Sequence, residues 1–497
     1  MASAPSNFSL RLRSALGPSH VSVDPAICSE YAVDEITPSA VAKPASAEQA
    51  AEIVRFAALE KLALIPCGHR TKLQIGMPPS RYDIALDMTG LNQIAHYDPG
   101  DLTVSVDAGA NFNDLAVPLY KQKQFLPLSV PFYFESTMGG IIASGVDSSL
   151  RHSYGTARDF LIGAEFIDGT GRLCKSGGRV VKNVTGYDLH KLLIGSLGTL
   201  AVITRLNFRT FPAAPASRGF VLSFRTPDDA LAFINLVERS PLRPASVDLV
   251  SPQLMQLFLE AENNSAEVPA APLQGKFAAD SCHLCVSVEG NPEVCERASR
   301  EFARIAAIPD AKLPELITLN EAEGADLWHD LGQSIPLLLE TSPLAAIFKI
   351  SLLPSRLASL LEHLRMLSDQ ASLPHAFLAR ACSVVYFALL PPPDDSGSRY
   401  RLAEAAAAIF SLCSAENASA TLPWCPAALK REVNIWGFDF AARASNSARN
   451  EASRRSSSST PVPSSAAASN CSELTLLRRL KSAFDPQNLF APGRFLP

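Results

Sequence analysis

The feature that most constrains this chain is a succession of glycine-rich segments, each set beside a short apolar run, between residues 66 and 204. The first, Pro66-Cys67-Gly68-His69-Arg70-Thr71-Lys72, directly follows the strand-like Lys61-Leu62-Ala63-Leu64-Ile65. Glycine there permits close backbone approach, and successive N–H groups in such a turn can point at a phosphate, with a hydroxyl from Thr71 and a charge from Lys72 beside them. Taken alone the segment is equally an ordinary strand-to-loop turn. The second, Ser136-Thr137-Met138-Gly139-Gly140-Ile141-Ile142-Ala143-Ser144-Gly145, again offers donors without side-chain obstruction, or else is a small-residue helix packed tightly on a sheet. Three more follow: Tyr154-Gly155-Thr156-Ala157-Arg158-Asp159, then 177–188, then Gly195-Ser196-Leu197-Gly198-Thr199-Leu200-Ala201-Val202-Ile203-Thr204. Several such contact segments in one domain fit a long, extended ligand better than a mononucleotide.

At 497 residues the chain has room for about two to four domains, and so for a large buried site. A formal net charge of −5 leaves no basic field for a phosphate backbone, which excludes nucleic acid as a partner. The ten cysteines are scattered without a disulfide framework, which fits reduced thiols. The opening residues lack the apolar stretch of a signal peptide, and nowhere do about 18 apolar residues run together. A cytoplasmic location is expected, with the inner membrane reached only through partner subunits.

The alternation of short apolar runs and turns predicts an α+β chain in five parts. Residues 1–29 form an N-terminal extension, 30–217 a ligand-binding domain and 218–441 an α+β cap. Residues 442–470, dominated by Ser, Ala, Asn and Arg, read as a disordered insertion, with Arg454-Arg455 as part of a solvated tether. From 471 to 497 apolar spacing returns, so this tail is expected to pack back on the first domain.

The ordered set PxGxxT, TxGGxxAxG, YGTxRD and GGRxxKNxxGYDxxKLxxGSxGTLxxIT resembles the FAD-binding domain of PCMH-type flavoproteins, the vanillyl-alcohol-oxidase fold. Within that family the run GGRVVKNVTGYDLHKLLIGSLGTL, with the ending Phe484-Asp485-Pro486 through Pro492-Gly493-Arg494, is similar to the FAD-binding subunit of glycolate oxidase. The resemblance implies that Pro66, Gly68, His69, Arg70, Thr71 and Lys72, with Thr137, Gly139, Gly140, Ser144 and Gly145, hold the pyrophosphate. It places Gly155, Arg158, Asp159, Gly198 and Ile203 along the ribityl, flavin and adenosine parts. It further implies a catalytic flavin subunit and an iron-sulfur subunit as partners, and a small 2-hydroxy acid as substrate. His69 and Arg70 stand where the family carries glycines, and Ala201 replaces another. Linked relatives carry the flavin on a His at the position of Arg70, so a non-covalent FAD is expected.

Flavin performs the redox step itself, so the protein must supply binding, a cation for a substrate carboxylate and a base. The Gly-Asp-Gly-Asn metal core of related D-2-hydroxy-acid dehydrogenases is absent, and His283, His329, His363 and His375 share no ligand spacing, so no metal is expected. Cys282-His283-Leu284-Cys285 lacks a second pair, and Trp328 and Trp436 suit packing. The leading expectation is an FAD subunit of a glycolate-oxidising complex with catalytic residues unassigned. Two rivals stand beside it: a stand-alone dehydrogenase using Lys349 or Arg380, and an assembly subunit that has lost FAD.

Overall fold

The computed structural model describes residues 7–180, 186–264, 277, 280–307, 316–392, 395, 397–437 and 465–496. Its first helix of consequence, Ala47–Glu60, forms where the sequence signals it. Ser46 caps it by accepting from the amide of Gln49, and Lys61 ends it in the left-handed region at φ 56°. Its apolar face, Ala50, Ala51, Ile53, Val54 and Ala57, is buried. That face packs on a four-stranded sheet in the order Val21–Ser22, Ala40–Ala42, Ile84–Asp87, Leu64–Cys67. The 1–29 extension is thus not separate from the domain: Val21 pairs with Ala42, and Leu12 in the helix Asn7–Leu16 is buried in the same core.

A five-stranded antiparallel sheet lies beside it, ordered Ile94–Asp98, Thr103–Asp107, Val202–Arg209, Leu161–Ile167, Leu173–Gly177. Between the two sheets run the loop after Cys67 and the short helix Met138–Ser144, which brings the first and second glycine segments together. Of the 177–188 segment, residues 181–185 lie outside the described residues.

The cap is an eight-stranded antiparallel sheet running Leu316–Leu319, Ala216–Phe224, Cys282–Gly290, Ser246–Val250, His375–Arg380, Val384–Leu389, Ala346–Ser351, Ser419–Trp424. Both of its faces are covered, so its strands alternate between two cores rather than between core and solvent. Cys282 and Cys285 fall in different cores, on opposite faces, which removes any shared metal or disulfide between them.

Most of the Ser-rich stretch, residues 442–464, lies outside the described residues, but 465–470, expected within it, begin the helix Ser465–Phe484. Beyond that helix the chain rejoins the first sheet. Leu64 N donates to Leu489 O at 2.8 Å and Ala491 N to Leu64 O at 2.8 Å, while Leu489 and Phe490 are fully buried. Burial of two such side chains contributes roughly 1.5–3 kcal/mol each. Lys481 Nζ pins the turn by meeting Asp485 Oδ2 at 2.6 Å and the carbonyls of Thr199 and Phe490.

Candidate functional site

A cleft of about 780 Å³ opens where the loop 65–75, the helix Met138–Ser144 and the turn 197–203 converge. The loop gets there because Gly68 has no side chain: a Cβ would stand 2.1 Å from Thr137 Oγ1. Arg70 takes a left-handed conformation at φ 66°, and the turn closes through Leu73 N to Arg70 O and Ile75 N to Lys72 O. Among the described residues, the amides of Gly68, His69, Arg70, Thr71 and Lys72 donate to no protein acceptor. Five successive amides without a partner among the described residues, on residues that line a concavity, make a candidate anion-binding nest.

Lys72, only 8% exposed, borders that nest. Its ammonium reaches the hydroxyls of Thr71, at 3.2 Å, and Ser136, so hydroxyls and no carboxylate hold it. Burial lowers its pKa to about 7, with Glu135 partly opposing the shift. Arg494, delivered by the tail, also lines the cleft. Its Nη2 donates to the carbonyls of Leu73, at 2.6 Å, and Ile75, while Nη1 has no partner.

The second glycine segment behaves differently. The amide of Met138 goes to Ala110 O, that of Gly139 to Ala108 O at 2.7 Å, and that of Gly140 to Thr137 Oγ1 at 3.3 Å. Its donors are therefore consumed by protein, and the amide-donor role expected of it falls to 68–72. Gly139 is there for packing, since a Cβ would sit 2.9 Å from the Ala108 Cβ. What this helix offers the cleft is a low wall of Gly139, Gly140, Ala143 and Ser144.

Of the residues expected at the site, Pro66, Gly68, His69, Arg70, Thr71, Lys72, Thr137, Gly139, Gly140, Ser144, Gly198 and Ile203 line the cleft. Arg70 also lies over the Tyr31 ring at 4.5 Å and near Glu30, and His69 Nδ1 is 2.8 Å from Glu135 O. Four expected residues are elsewhere. Gly145 is the left-handed cap of the helix, and its carbonyl accepts from Lys349 Nζ. Asp159 completes a capping box with Thr156 on the short helix Ala157–Phe160; Gly155 precedes that helix and Arg158 lies within it, both outside the cleft lining. Their motif is local capping chemistry, which sequence spacing does not distinguish from ligand contact. Missing from the expectation were the apolar Leu73, Ile75 and Met88, which carry no chemical signature, and Arg494, which the tail motif contained.

In the cap, Lys349 Nζ meets Asp147 Oδ2 at 2.9 Å and Gly145 O at 2.9 Å. Arg380 donates from Nη1 to Asp147 O at 2.6 Å and from Nη2 to Leu331 O at 3.0 Å. Beside it Asp248 accepts from Ser149 Oγ, and burial pushes its carboxyl up to about 6 against the pull of Arg380. A second space of about 760 Å³ lies between first domain and cap; Tyr133, Ser149, Ser246, Ser287, Glu289 and His329 line it, and among the described residues neither Lys nor Arg does. Burial raises the pKa of Glu289, which accepts from Tyr154 OH at 2.9 Å. Among the described residues no group of His, Cys, Asp and Glu gathers as a metal site would require, and no helix is long and apolar enough to cross a membrane.

A family model of the FAD binding domain matches residues 38–177, and one of the C-terminal domain of FAD linked oxidases matches 214–412 and 468–495. The fold is shared with p-cresol methylhydroxylase at a TM-score of 0.72 and 15% identity, over 98% of this chain and 96% of that one. The chain is an FAD-binding flavoprotein with the PCMH-type fold. Curated relatives of this flavoprotein include D-lactate dehydrogenase of Anaerostipes hadrus, 25% identical over 59% of this chain and 63% of that protein. Glycolate oxidase subunit GlcE of Escherichia coli K12 is 31% identical over 44% of this chain and 61% of its own length. The matches thus span less than two thirds of either relative. FAD is the cofactor of this family, and the cleft fits it: an anion nest beside a buried ammonium at one side, and an apolar floor of Leu197, Ala201 and Ile203 at the other.

Proposed function

We propose that this chain is a non-covalent FAD subunit of a glycolate (2-hydroxy-acid) oxidising complex, relaying electrons between a catalytic flavin subunit and an iron-sulfur partner. The observation that carries the reading is the contrast between a cleft built for an anionic cofactor and a cap whose cations are committed to protein oxygens. Bound FAD supplies the redox chemistry. The chain's own residues bind and orient: the amides of Gly68 to Lys72 and the Lys72 ammonium meet phosphate oxygens, the wall at Gly139 and Gly140 leaves room for a flat or extended group, and Ala201 and Ile203 exclude water beneath it. His69 keeps its ring nitrogen against Glu135 O, and the position where linked relatives carry His is Arg70, which supports release of all flavin on acid precipitation.

A 2-hydroxy acid needs a cation for its carboxylate and a base for its hydroxyl. Lys349 already pairs with the Asp147 carboxylate and Arg380 with the carbonyls of Asp147 and Leu331, and the space between domains offers Glu289 without a lining cation among the described residues. The isolated protein should therefore bleach fully with dithionite and only slowly with glycolate or D-lactate, turnover appearing with partners. Rapid bleaching by D-lactate alone favours the stand-alone dehydrogenase, and protein purified without yellow absorbance favours an assembly role. The relatives named for D-lactate and glycolate oxidation support the substrate class.

A further inference from the structure

Arg494 is 2% exposed, so its guanidinium is almost wholly removed from water. The carboxylate that pulls on it most is Asp34, yet both oxygens of Asp34 are already held by Lys430 Nζ, at 2.7 and 2.9 Å. The guanidinium is thus a buried charge whose neighbouring anion is neutralised elsewhere, a costly arrangement unless a further anion arrives. Burial accordingly lowers its pKa to about 10. Its position is enforced from both sides. Nη2 spans the carbonyls of Leu73 and Ile75, the residues that close the amide nest, and Gly76 at φ 122° leaves only 3.0 Å between a Cβ and Nε. The backbone carbonyl of Arg494 is fixed in turn by Met77 N and by Trp436 Nε1 at 3.1 Å. What remains is Nη1, buried and without a partner among the described residues, on a side chain that borders the cleft.

We infer that Arg494 is a phosphate-binding residue, its Nη1 donating to the diphosphate of the cofactor held by the amides of 68–72, so that the tail completes the site begun by the first domain. This rests on the FAD reading of the cleft. A guanidinium presents more than one donor in a rigid fork, so one nitrogen can fix the loop while another meets the ligand. The alternative role is a clamp on the loop 73–76 with no ligand contact.

The two roles separate in the full-length apoprotein, titrated with FAD by flavin fluorescence and with ADP by calorimetry, alongside its thermal unfolding. Arg494→Gln removes the charge and Arg494→Lys keeps it while losing the span between two carbonyls. For a phosphate contact, Arg494→Gln weakens both FAD and ADP by roughly tenfold to a hundredfold, and Arg494→Lys recovers most of that affinity although it too loses the span. A clamp makes the two variants equally poor, or leaves both ligands bound as in the parent with only the melting temperature lowered, and either result overturns the inference. If the unsubstituted protein binds neither FAD nor ADP, the cofactor reading itself falls instead.

Discussion

Two sets of buried cations in this molecule look alike by composition and differ in what they touch. Lys72 and Arg494, in the cleft of the first domain, are held by hydroxyls and carbonyls and meet no free carboxylate. In the cap, Lys349 pairs with the Asp147 carboxylate, while Arg380 donates to the backbone carbonyls of Asp147 and Leu331 with Asp248 facing it, its Nε without a partner among the described residues. The first pair waits for an anion from outside, whereas Lys349 has its anion built in. A buried cation therefore signals a ligand only once its partners are counted, since desolvation is costly in both places and a carboxylate in contact, as at Lys349, already compensates it.

The comparison breaks most visibly at Gly68. Gly68→Val puts side-chain atoms into the space of Thr137 Oγ1, 2.1 Å from the Cβ position, and displaces the whole amide nest. FAD should be absent from the purified variant, read by its absorbance, and a yellow protein would detach the loop from the cofactor.

Lys72 gives the next largest effect, and it carries a pH signature. With its folded pKa near 7 and an unfolded value of about 10.4, the unfolded chain holds a proton that the folded apoprotein lacks between those limits. Apoprotein stability should therefore gain from this group as pH rises from 7 towards 10. FAD affinity should do the opposite, falling by up to about tenfold per pH unit above 7, because phosphate selects the charged form. Fluorescence titrations of Lys72→Met across that range should show weak, pH-flat binding; a retained slope would assign it to another group.

Lys349→Met tests the cap side. Removing one partner of a largely buried pair costs about 2–4 kcal/mol, less than a fully buried case because both side chains keep some exposure. Denaturant melts should register that loss while FAD stays bound with the parent's affinity. A flavin affinity that collapsed with Lys349 would place it in the cofactor site after all.

The smallest change is expected at Asp159. Asp159→Ala removes one half of a capping box on an exposed helix turn, about 1 kcal/mol, with no effect on FAD titrations. A large loss of flavin would return the 155–159 segment to the site.

Much of this architecture is legible in the residues themselves. The helix from Ala47 is announced by Ser46 and its apolar spacing, and the first loop by a glycine after an apolar strand. The limits are equally physical. Glycines at 68 and 139 look the same in sequence, yet one accompanies free amides and the other lets a helix lie against Ala108, a difference that resides in which acceptors the fold brings near. The Asp159 motif reads as a ligand segment because capping and ligand binding draw on the same donors and acceptors. Arg494 escapes because its neighbours Leu73, Ile75 and Asp34 are remote in sequence.

The return of residues 489–491 to the strand Leu64–Cys67 has a consequence for biosynthesis. That strand is the outermost of its sheet, paired on one side with Ile84–Asp87 and, among the described residues, on the other only by the bridge to Phe490. While the intervening residues are still being translated, its open side is a row of unpaired backbone groups beside apolar Leu64 and Ile65, a template for adhesion between nascent chains. The tail acts as a late-arriving guard on that edge. Slowing translation between residues 100 and 480 should raise the aggregated fraction, and lowering expression temperature or supplying a holdase chaperone should recover it.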